Sequence, residues 1–156
     1  MAREHGYTAT LEWTGNRGEG TSHYRGYDRT WTIATPGKPP VPCSNDPLLG
    51  GDPTRHNPED LMLAALSACH MLWYLHLCAD AGVVVTDYTD DARGTMAEDR
   101  EGGRFVEVTL APRVTVAENR MVDTALALHE TAHKRCFIAN SVNFPVRHEP
   151  AVTAAS

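Results

Sequence analysis

The sequence predicts an α+β domain, because two helical segments alternate with β-rich segments along its 156 residues. The first helical segment is apolar on nearly every side, and the second is amphipathic. The segments before, between and after them are rich in β-branched and aromatic residues. The predicted order is ββ-α-ββ-α-β. This length and the 42% hydrophobic content fit one folded domain that spans residues 1–156.

Glycine, proline and polar residues divide the chain into these elements. Asn57 and Pro58 suit the N-cap and the first position of a helix, and Gly82 suits its end. The glycine-rich segment 15–20 and the turn-forming segment 98–103 each separate two strands. Strands are predicted at 7–13, 21–33, 83–95, 104–117 and 144–152, helices at 58–80 and 118–134, and a short helical turn at 139–143.

The first predicted helix is long enough to span a membrane. Ser67, His70, His76 and Asp80 lie within it, and both of its ends lack the aromatic and basic belts of a membrane span. These features favour a helix that is buried in protein. A single domain of this size has few layers with which to cover a helix on all sides. A second copy of the chain would supply the missing cover.

Charge and cysteine spacing exclude several classes of function. The formal net charge is −6 and no dense cluster of Lys and Arg occurs, which argues against nucleic acid and anionic lipid as partners. The N-terminus has no apolar segment behind a basic one, so no secretory signal is predicted. The four cysteines lie far apart and form no CxxC pair. We therefore expect a cytoplasmic protein whose thiols are structural, metal-ligating or catalytic.

Two of the cysteines lie on the two predicted helices. Cys69 lies within the first helix, and Cys136 continues the apolar arc of the second helix if helical geometry persists. Two buried structural thiols would fit this pattern. A peroxidatic and resolving pair would fit it as well, since a thiolate that attacks a peroxide becomes a sulfenic acid that a second thiol converts to a disulfide. Cys43 and Cys78 are expected to be bystanders.

Three segments resemble the OsmC/Ohr family of thiol peroxidases. The stretch 57–69 resembles the central-helix signature of that family, 133–143 resembles its second cysteine segment, and 13–21 resembles its first β-hairpin. The resemblance implies an intertwined homodimer in which two long central helices are wrapped by sheets from both subunits. It also implies cysteine-based reduction of organic hydroperoxides, alkyl or lipid, with an external dithiol as reductant and with no cofactor or metal.

The resemblance also assigns roles to individual residues. Cys69 matches the reactive cysteine, Cys136 the resolving cysteine, and Glu59 the glutamate ahead of the reactive cysteine. Ten residues of helix rise about 15 Å, so Glu59 cannot hydrogen-bond Cys69 of its own chain. If Glu59 helps to hold an activating arginine near a cysteine, that cysteine belongs to the partner subunit.

The arginine that would stabilise the thiolate has two candidates. Arg17 matches the arginine of the first hairpin of the family. Many relatives carry another arginine shortly before the Asn-Pro-Glu segment, but here Leu-Gly-Gly occupies 49–51 and Arg55 is displaced toward the helix. This departure leaves open an alternative function, a dimeric binding module of the same fold whose cysteine is not activated.

A second motif points to different chemistry. Residues 129–133 read His-Glu-Thr-Ala-His, the HExxH pattern that places two imidazoles one helical turn apart to bind zinc. His148, Glu149 or Cys136 could supply a third ligand. A zinc hydrolase is therefore a minor alternative. His70 and His76 are expected to serve packing or hydrogen bonding.

Overall fold

A computed structural model describes residues 3–156 and confirms the α+β class. By its contacts the chain divides into two compact units, Met1–Leu61 and Met62–Ser156. The assignment of residues 1–156 to one domain stays a prediction. The strands are β1 (Leu11–Trp13), β2 (Trp31–Ile33), β3 (Val41–Cys43), β4 (Val85–Asp90), β5 (Arg93–Asp99), β6 (Gly102–Leu110), β7 (Pro112–Val116), β8 (Val146–His148) and β9 (Ala151–Ala154). The helices are α1 (Pro58–Asp80) and α2 (Val122–Arg135), and short 3-10 turns cover Pro47–Leu49, Asn119–Met121 and Ala139–Ser141.

The N-terminal unit contains one antiparallel sheet in the order β1-β2-β3. The two predicted strands are present but shorter than expected, and β3 was not predicted. Residues 17–27 consist mostly of turns and bends, and this segment is closed by the isolated bridge between Asn16 and Tyr27. The predicted second strand therefore begins only at Trp31. Pro42 lies inside β3 opposite Thr32, at the edge of the sheet, where a missing N–H is tolerated.

The C-terminal unit contains two three-stranded sheets, β4-β7-β9 and β5-β6-β8. Each strand predicted at 83–95, 104–117 and 144–152 is in fact two strands, one in each sheet. Two of the three breaks coincide with proline, since Pro112 opens β7 and Pro150 lies just before β9. The predicted strand order is corrected accordingly, whereas the alternation of strands and helices is confirmed.

Local interactions define both ends of α1. The Asn57 Oδ1 atom accepts a hydrogen bond from the Asp60 N–H at 2.8 Å, and the Asp60 Oδ2 atom accepts one from the Asn57 N–H at 3.3 Å. This reciprocal pair is a capping box that satisfies N–H groups at the helix start. Gly82 ends the helix with a positive φ of 71°, and the Val83 N–H then bonds the Cys78 carbonyl at 2.8 Å. The predicted helix is confirmed at both ends.

In the C-terminal unit, α1 packs against two apolar clusters. Leu66 packs with Val108 and Leu110 of β6. About two and three turns further along, Tyr74 and Leu77 belong to a second cluster, which includes residues of β7 and α2. The first half of α1 therefore packs against one sheet of this unit, and the second half packs against the other.

The single chain does not cover α1 on every side. Only 28% of its most apolar window is buried, and Ala65, Ala68 and Leu72 form an exposed apolar stripe along one face. By length and composition α1 could cross a membrane, a test that core helices of soluble proteins also pass. This exposed face is therefore the one that a second copy of the chain is expected to cover.

A polar contact ties α1 to the sheets two residues before Cys69. The Ser67 hydroxyl donates to the Asp90 Oδ2 atom at 2.6 Å, and the Asp90 Oδ1 atom accepts from the Ala111 N–H at 2.7 Å. Asp90 and Ala111 each lie at a point where the chain leaves one sheet for the other. One carboxylate thus links the helix to two strand junctions.

We predict that Asp90→Ala lowers the free energy of unfolding by about 1–3 kcal/mol, because the Ala111 N–H loses its partner in a buried position. Urea denaturation followed by circular dichroism measures the change. The neighbouring exposed carboxylate, Asp91, is the matched control, and Asp91→Ala should change stability by less than about 0.5 kcal/mol. Equal effects of the two substitutions would contradict the linking role of Asp90.

Candidate functional site

The structure brings Cys69 and Cys136 together within the C-terminal unit. Cys69 lies in the middle of α1 and is partly exposed, whereas Cys136 directly follows α2 and is 1% exposed. The Cys69 thiol lies near enough to the Cys136 thiol to raise the pKa of the latter. Neither cysteine forms a disulfide in the structure.

The backbone at Cys136 differs from the expectation. Helix α2 ends at Arg135, and Cys136 has an extended conformation with φ −66° and ψ 111° rather than a helical one. The Cys136 N–H still bonds the His133 carbonyl at 3.3 Å, and its Sγ atom accepts from the Ala139 N–H at 3.5 Å. Cys136 is therefore a buried capping residue of α2 and not part of its apolar face.

Electrostatics favour the protonated form of Cys136. Burial raises the pKa of its thiol to about 11, and the neighbouring Cys69 thiol adds to this rise. Backbone N–H groups of Ala139 and Ile138 act in the opposite direction, because they favour a thiolate. Cys136 is thus a protonated, shielded thiol beside a more accessible one, a combination that suits a resolving cysteine.

Glu59 lies in the first turn of α1, within the N-terminal unit. Its Oε2 atom is buried and has no hydrogen-bond partner among the described residues. A buried carboxylate oxygen without a donor is costly, so a donor from a partner subunit would stabilise Glu59. The predicted role of Glu59 across a subunit interface stays a prediction that this orphaned oxygen supports.

Arg17 lies in the glycine turn of the N-terminal unit, where it is held by local partners. Its guanidinium donates to the carbonyl oxygens of Arg25 and, at 3.3 Å, of Gly26. It also lies 3.7 Å from the Asp28 carboxylate, and its side chain is about half exposed. The assignment of Arg17 as the activating cation stays a prediction.

The segment 49–51, where the family resemblance would place an arginine, is a tight turn. Gly50 has a left-handed φ of 81°, and a Cβ on Gly51 would lie 1.7 Å from the Asn45 carbonyl oxygen. Position 51 therefore accepts no side chain without a change in the backbone. Arg55, the displaced candidate, pairs with Asp52 at 3.3 Å in the same unit.

A third arginine of the N-terminal unit was not singled out from the sequence. Arg29 approaches within 3.7 Å of the place where a Cβ of Gly50 would lie. Its guanidinium lies 4.3 and 4.7 Å from the ring centroids of Tyr24 and Tyr27 and donates to their carbonyl oxygens. Its sequence signal, an arginine just after two tyrosines, is too common to indicate a site. Arg29 joins Arg17 and Arg55 as a possible source of the cation.

The remaining cysteines, Cys43 and Cys78, are both buried. Cys43 is fully buried in β3, and burial raises the pKa of its thiol while the Arg55 charge opposes that rise. Cys78 is buried in the apolar cluster beside Tyr74, and burial likewise raises its pKa. High pKa values and burial make both thiols poor nucleophiles at neutral pH.

Four histidines lie together in the C-terminal unit, and two of them, His70 and His133, are close to Cys69 and Cys136 in the sequence. His70 from α1, His129 and His133 from α2 and His148 from β8 have neighbouring rings. The His70 Nε2 atom lies 3.0 Å from the His129 Nδ1 atom, and the His129 ring stacks on Tyr74 with 3.9 Å between centroids. Burial lowers the pKa of His70 to about 4 and that of His129 to about 3, so both are neutral at pH 7.

The HExxH segment is part of this cluster, but its glutamate is engaged. Glu130 lies 3.3 Å from both Lys134 Nζ and His148 Nε2, and the Lys134 hydrogen bond and charge lower its pKa. No three potential metal ligands among residues 3–156 converge as the side chains lie. A hydrolase needs a free general base beside an open metal, and this arrangement gives the zinc hydrolase alternative no support. His76, by contrast, is exposed and pairs with Asp80 at 3.4 Å.

The residues that follow Cys69 on α1 line an apolar cavity. It has a volume of about 280 Å³ and is lined by Leu72, Trp73 and His76, one to two helical turns beyond Cys69. Phe137, the residue after Cys136, packs edge-on against Trp73 with 5.6 Å between ring centroids. The surface that both cysteine segments share is therefore aromatic and aliphatic.

Comparison with known proteins adds independent information. A family model described as OsmC-like protein matches residues 51–150. An OsmC-like protein of unknown function from Vibrio cholerae superposes with a TM-score of 0.85 at 28% identity, over 95% of this chain and 100% of that chain. Organic hydroperoxide resistance proteins from Elizabethkingia anophelis and Legionella pneumophila superpose with TM-scores of 0.68 and 0.67, both at 20% identity, over 98% and 96% of this chain and 100% and 99% of theirs. No curated protein sequence matches the chain.

We predict that Cys136 resists alkylation in the folded protein until the pH approaches 11, because burial keeps its thiol protonated. Peptide-resolved iodoacetamide labelling across a pH series measures the rate at each cysteine. The same chain unfolded in urea is the control and should show a midpoint near the ordinary value of 9.0. If folded and unfolded Cys136 react at the same rate at pH 7, the shielded-thiol description is wrong.

Proposed function

Because this chain belongs to the OsmC-like family, we propose that it is a peroxide-detoxifying enzyme that reduces organic hydroperoxides with Cys69 as nucleophile and Cys136 as resolving residue. The observation that carries this proposal is the proximity of a partly exposed thiol on α1 to a buried, protonated thiol at the end of α2. Two structural thiols would need no such difference in access. The pairing is what a two-step thiol peroxidase requires.

The proposed reaction has three steps. The Cys69 thiolate attacks the distal oxygen of the hydroperoxide, the O–O bond breaks, and the leaving alkoxide takes up a proton to become an alcohol. The resulting sulfenic acid then reacts with the Cys136 thiol, which gives a disulfide and water. An external dithiol reopens the disulfide by exchange and returns both thiols. This dithiol fits a reducing compartment such as the cytoplasm.

The raised pKa of Cys136 gives this order of events a physical reason. A protonated, buried thiol competes poorly for peroxide, so the first oxidation falls on the more accessible Cys69. Once Cys69 carries a sulfenic acid, the reaction partner of Cys136 is already nearby. Proximity then compensates for low intrinsic reactivity.

The substrate class follows from the surroundings of the two cysteines. The cavity beside Leu72 and Trp73 and the exposed ring of Phe137 offer apolar contact area and few polar groups. Such a surface binds the organic part of a hydroperoxide and gains little from hydrogen peroxide. We therefore propose alkyl or lipid hydroperoxides as substrates.

The proposed active form is a homodimer. The exposed stripe of Ala65, Ala68 and Leu72 on α1 needs cover, and the buried Oε2 atom of Glu59 needs a donor that the single chain does not supply among its described residues. A second copy of α1 would cover the stripe.

The tight turn at 49–51 favours a second candidate, a dimeric binding module whose cysteine is not activated. Gly51 leaves no room for a side chain, so an arginine at that position is excluded without a backbone change. The candidates for activation are then Arg17, Arg29 and Arg55. If none of them reaches a cysteine in the dimer, the protein binds hydroperoxides or other apolar molecules without turnover.

We predict that Cys69→Ser reduces the consumption of cumene hydroperoxide to background, a loss of at least about a hundredfold, because no other accessible thiol replaces the nucleophile. Peroxide is measured in the presence of excess dithiol. Cys78→Ser is the matched control on the same helix and should keep wild-type activity. Activity that is equal in wild type and Cys69→Ser would favour the binding module.

We also predict that Leu72→Asp shifts the protein from dimer to monomer, because it places a charge on the exposed apolar stripe of α1. Sedimentation velocity at micromolar concentration measures the effect. Leu48→Asp is the control, since Leu48 is 93% exposed on a short 3-10 turn. A wild-type protein that sediments as a monomer, or that requires detergent to stay in solution, would contradict the proposed dimer.

A further inference from the structure

The apolar cavity on α1 shares a helix face with Cys69. Leu72, Trp73 and His76, which line the cavity, lie three, four and seven residues beyond Cys69. Side chains at these spacings project from one side of a helix, and the Cβ atoms of residues three or four apart are about 5–6 Å from each other. A molecule whose reactive group reaches Cys69 can therefore rest its body against the ring of Trp73.

A cation lies over the same ring. The Arg135 Cζ atom is 5.7 Å from the centroid of the Trp73 ring, which is within the range of a cation–π contact. Arg135 is the last residue of α2 and directly precedes Cys136, so the second cysteine segment supplies this charge. The exposed ring of Phe137, from the same segment, packs edge-on against Trp73. The surroundings of Trp73 therefore combine one positive charge with aromatic surface.

The charge of Arg135 is not neutralised within the chain. Its side chain is exposed, and no carboxylate among residues 3–156 forms an ion pair with it. The carboxylate of Glu130 on α2 pairs with Lys134 at 3.3 Å. The carboxylate of Asp80 at the end of α1 pairs with His76 at 3.4 Å. An unpaired cation beside an apolar cavity attracts an anionic ligand, even in a chain with a net charge of −6.

Other roles of Arg135 do not explain its position. A cation in the last turn of α2 interacts favourably with the helix dipole, but Lys134 provides the same interaction and contacts no aromatic ring among the described residues. The Arg135 charge also does not lower the pKa of the Cys136 thiol. Neither role requires a guanidinium over the ring that lines the cavity.

We propose, on the basis of the proposed peroxidase activity, that Arg135 determines substrate specificity by binding an anionic group of the organic hydroperoxide. The preferred substrates are then amphipathic hydroperoxides that carry a carboxylate. A guanidinium binds a carboxylate through two parallel hydrogen bonds, while the apolar body of the substrate lies on Trp73 and its peroxide reaches Cys69. Because these three points are close together, the carboxylate and the peroxide need to be only on the order of 10 Å apart.

The strength of this selection is limited by the exposure of Arg135. An exposed ion pair strengthens binding by about two- to fivefold, and dissolved salt screens it. The preference for a carboxylate should therefore decrease as the ionic strength rises. Contact with Trp73 involves no charge on the substrate, so it contributes equally to charged and neutral hydroperoxides.

The test compares two substrates that differ in charge but present the same peroxide, para-carboxycumene hydroperoxide and its methyl ester. In the wild type at low salt we expect kcat/KM to be about two- to fivefold higher for the carboxylate. In Arg135→Gln the two values should become equal, and Arg135→Lys should keep part of the preference. Arg120→Gln, which removes an exposed charge just before α2, is the matched control and should keep the wild-type ratio. The ratio within each variant cancels any loss of activity that both substrates share.

Equal kcat/KM values for the two substrates in the wild type, or an undiminished preference in Arg135→Gln, would overturn the inference and leave the peroxidase intact. If Arg135→Gln does not fold by circular dichroism, a wild-type ratio that stays constant up to about 0.5 M salt would overturn it instead.

A failed peroxidase gives a different result, because neither hydroperoxide is then consumed in a way that depends on Cys69. The inference is then decided by the binding of the two corresponding alcohols to the wild type, measured by NMR titration. Tighter binding of the carboxylate alcohol that is lost in Arg135→Gln would support the role of Arg135, and equal dissociation constants for the two alcohols would overturn it.

Discussion

The apposition of α1 and α2 is the constraint on which the C-terminal unit depends. The hydrogen bond between His70 and His129 crosses this interface in a fully buried position, and Tyr74 stacks on the same imidazole. A neutral imidazole pair can satisfy one donor and one acceptor without burying a charge. Because Cys69 precedes His70 and Cys136 follows the last residue of α2, this contact also determines how close the two thiols lie.

Local sequence signals predicted the helices better than the strands. The capping box at Asn57 and the left-handed Gly82 act within a few residues, and they fixed the bounds of α1. The strands were predicted as long continuous runs, because β-propensity does not reveal where a chain leaves one sheet for another. Pro112 and Pro150 were signals for two of these breaks. The break after Asp90 depends on a tertiary contact with Ser67, which no sequence pattern contains.

The site was predictable only in part for the same reason. A family resemblance identified both cysteines, and the structure places them near each other. The extended backbone of Cys136 and its raised pKa follow from packing, so helical periodicity could not show them. HExxH was visible as a motif, but the sequence could not show that His70 and His148, which are distant in sequence, lie beside its two histidines. The arginine that activates the thiol stays undetermined because it depends on a second chain.

The central claim is that Cys69 and Cys136 act as one redox pair. The most direct measurement is peptide mapping by mass spectrometry under non-reducing conditions, after the reduced protein has received one equivalent of an organic hydroperoxide. The account predicts a single new disulfide between the peptides that contain these two residues, with Cys43 and Cys78 still free. An oxidised protein in which Cys69 forms no bond with Cys136, or in which Cys69 is unmodified, would contradict the account.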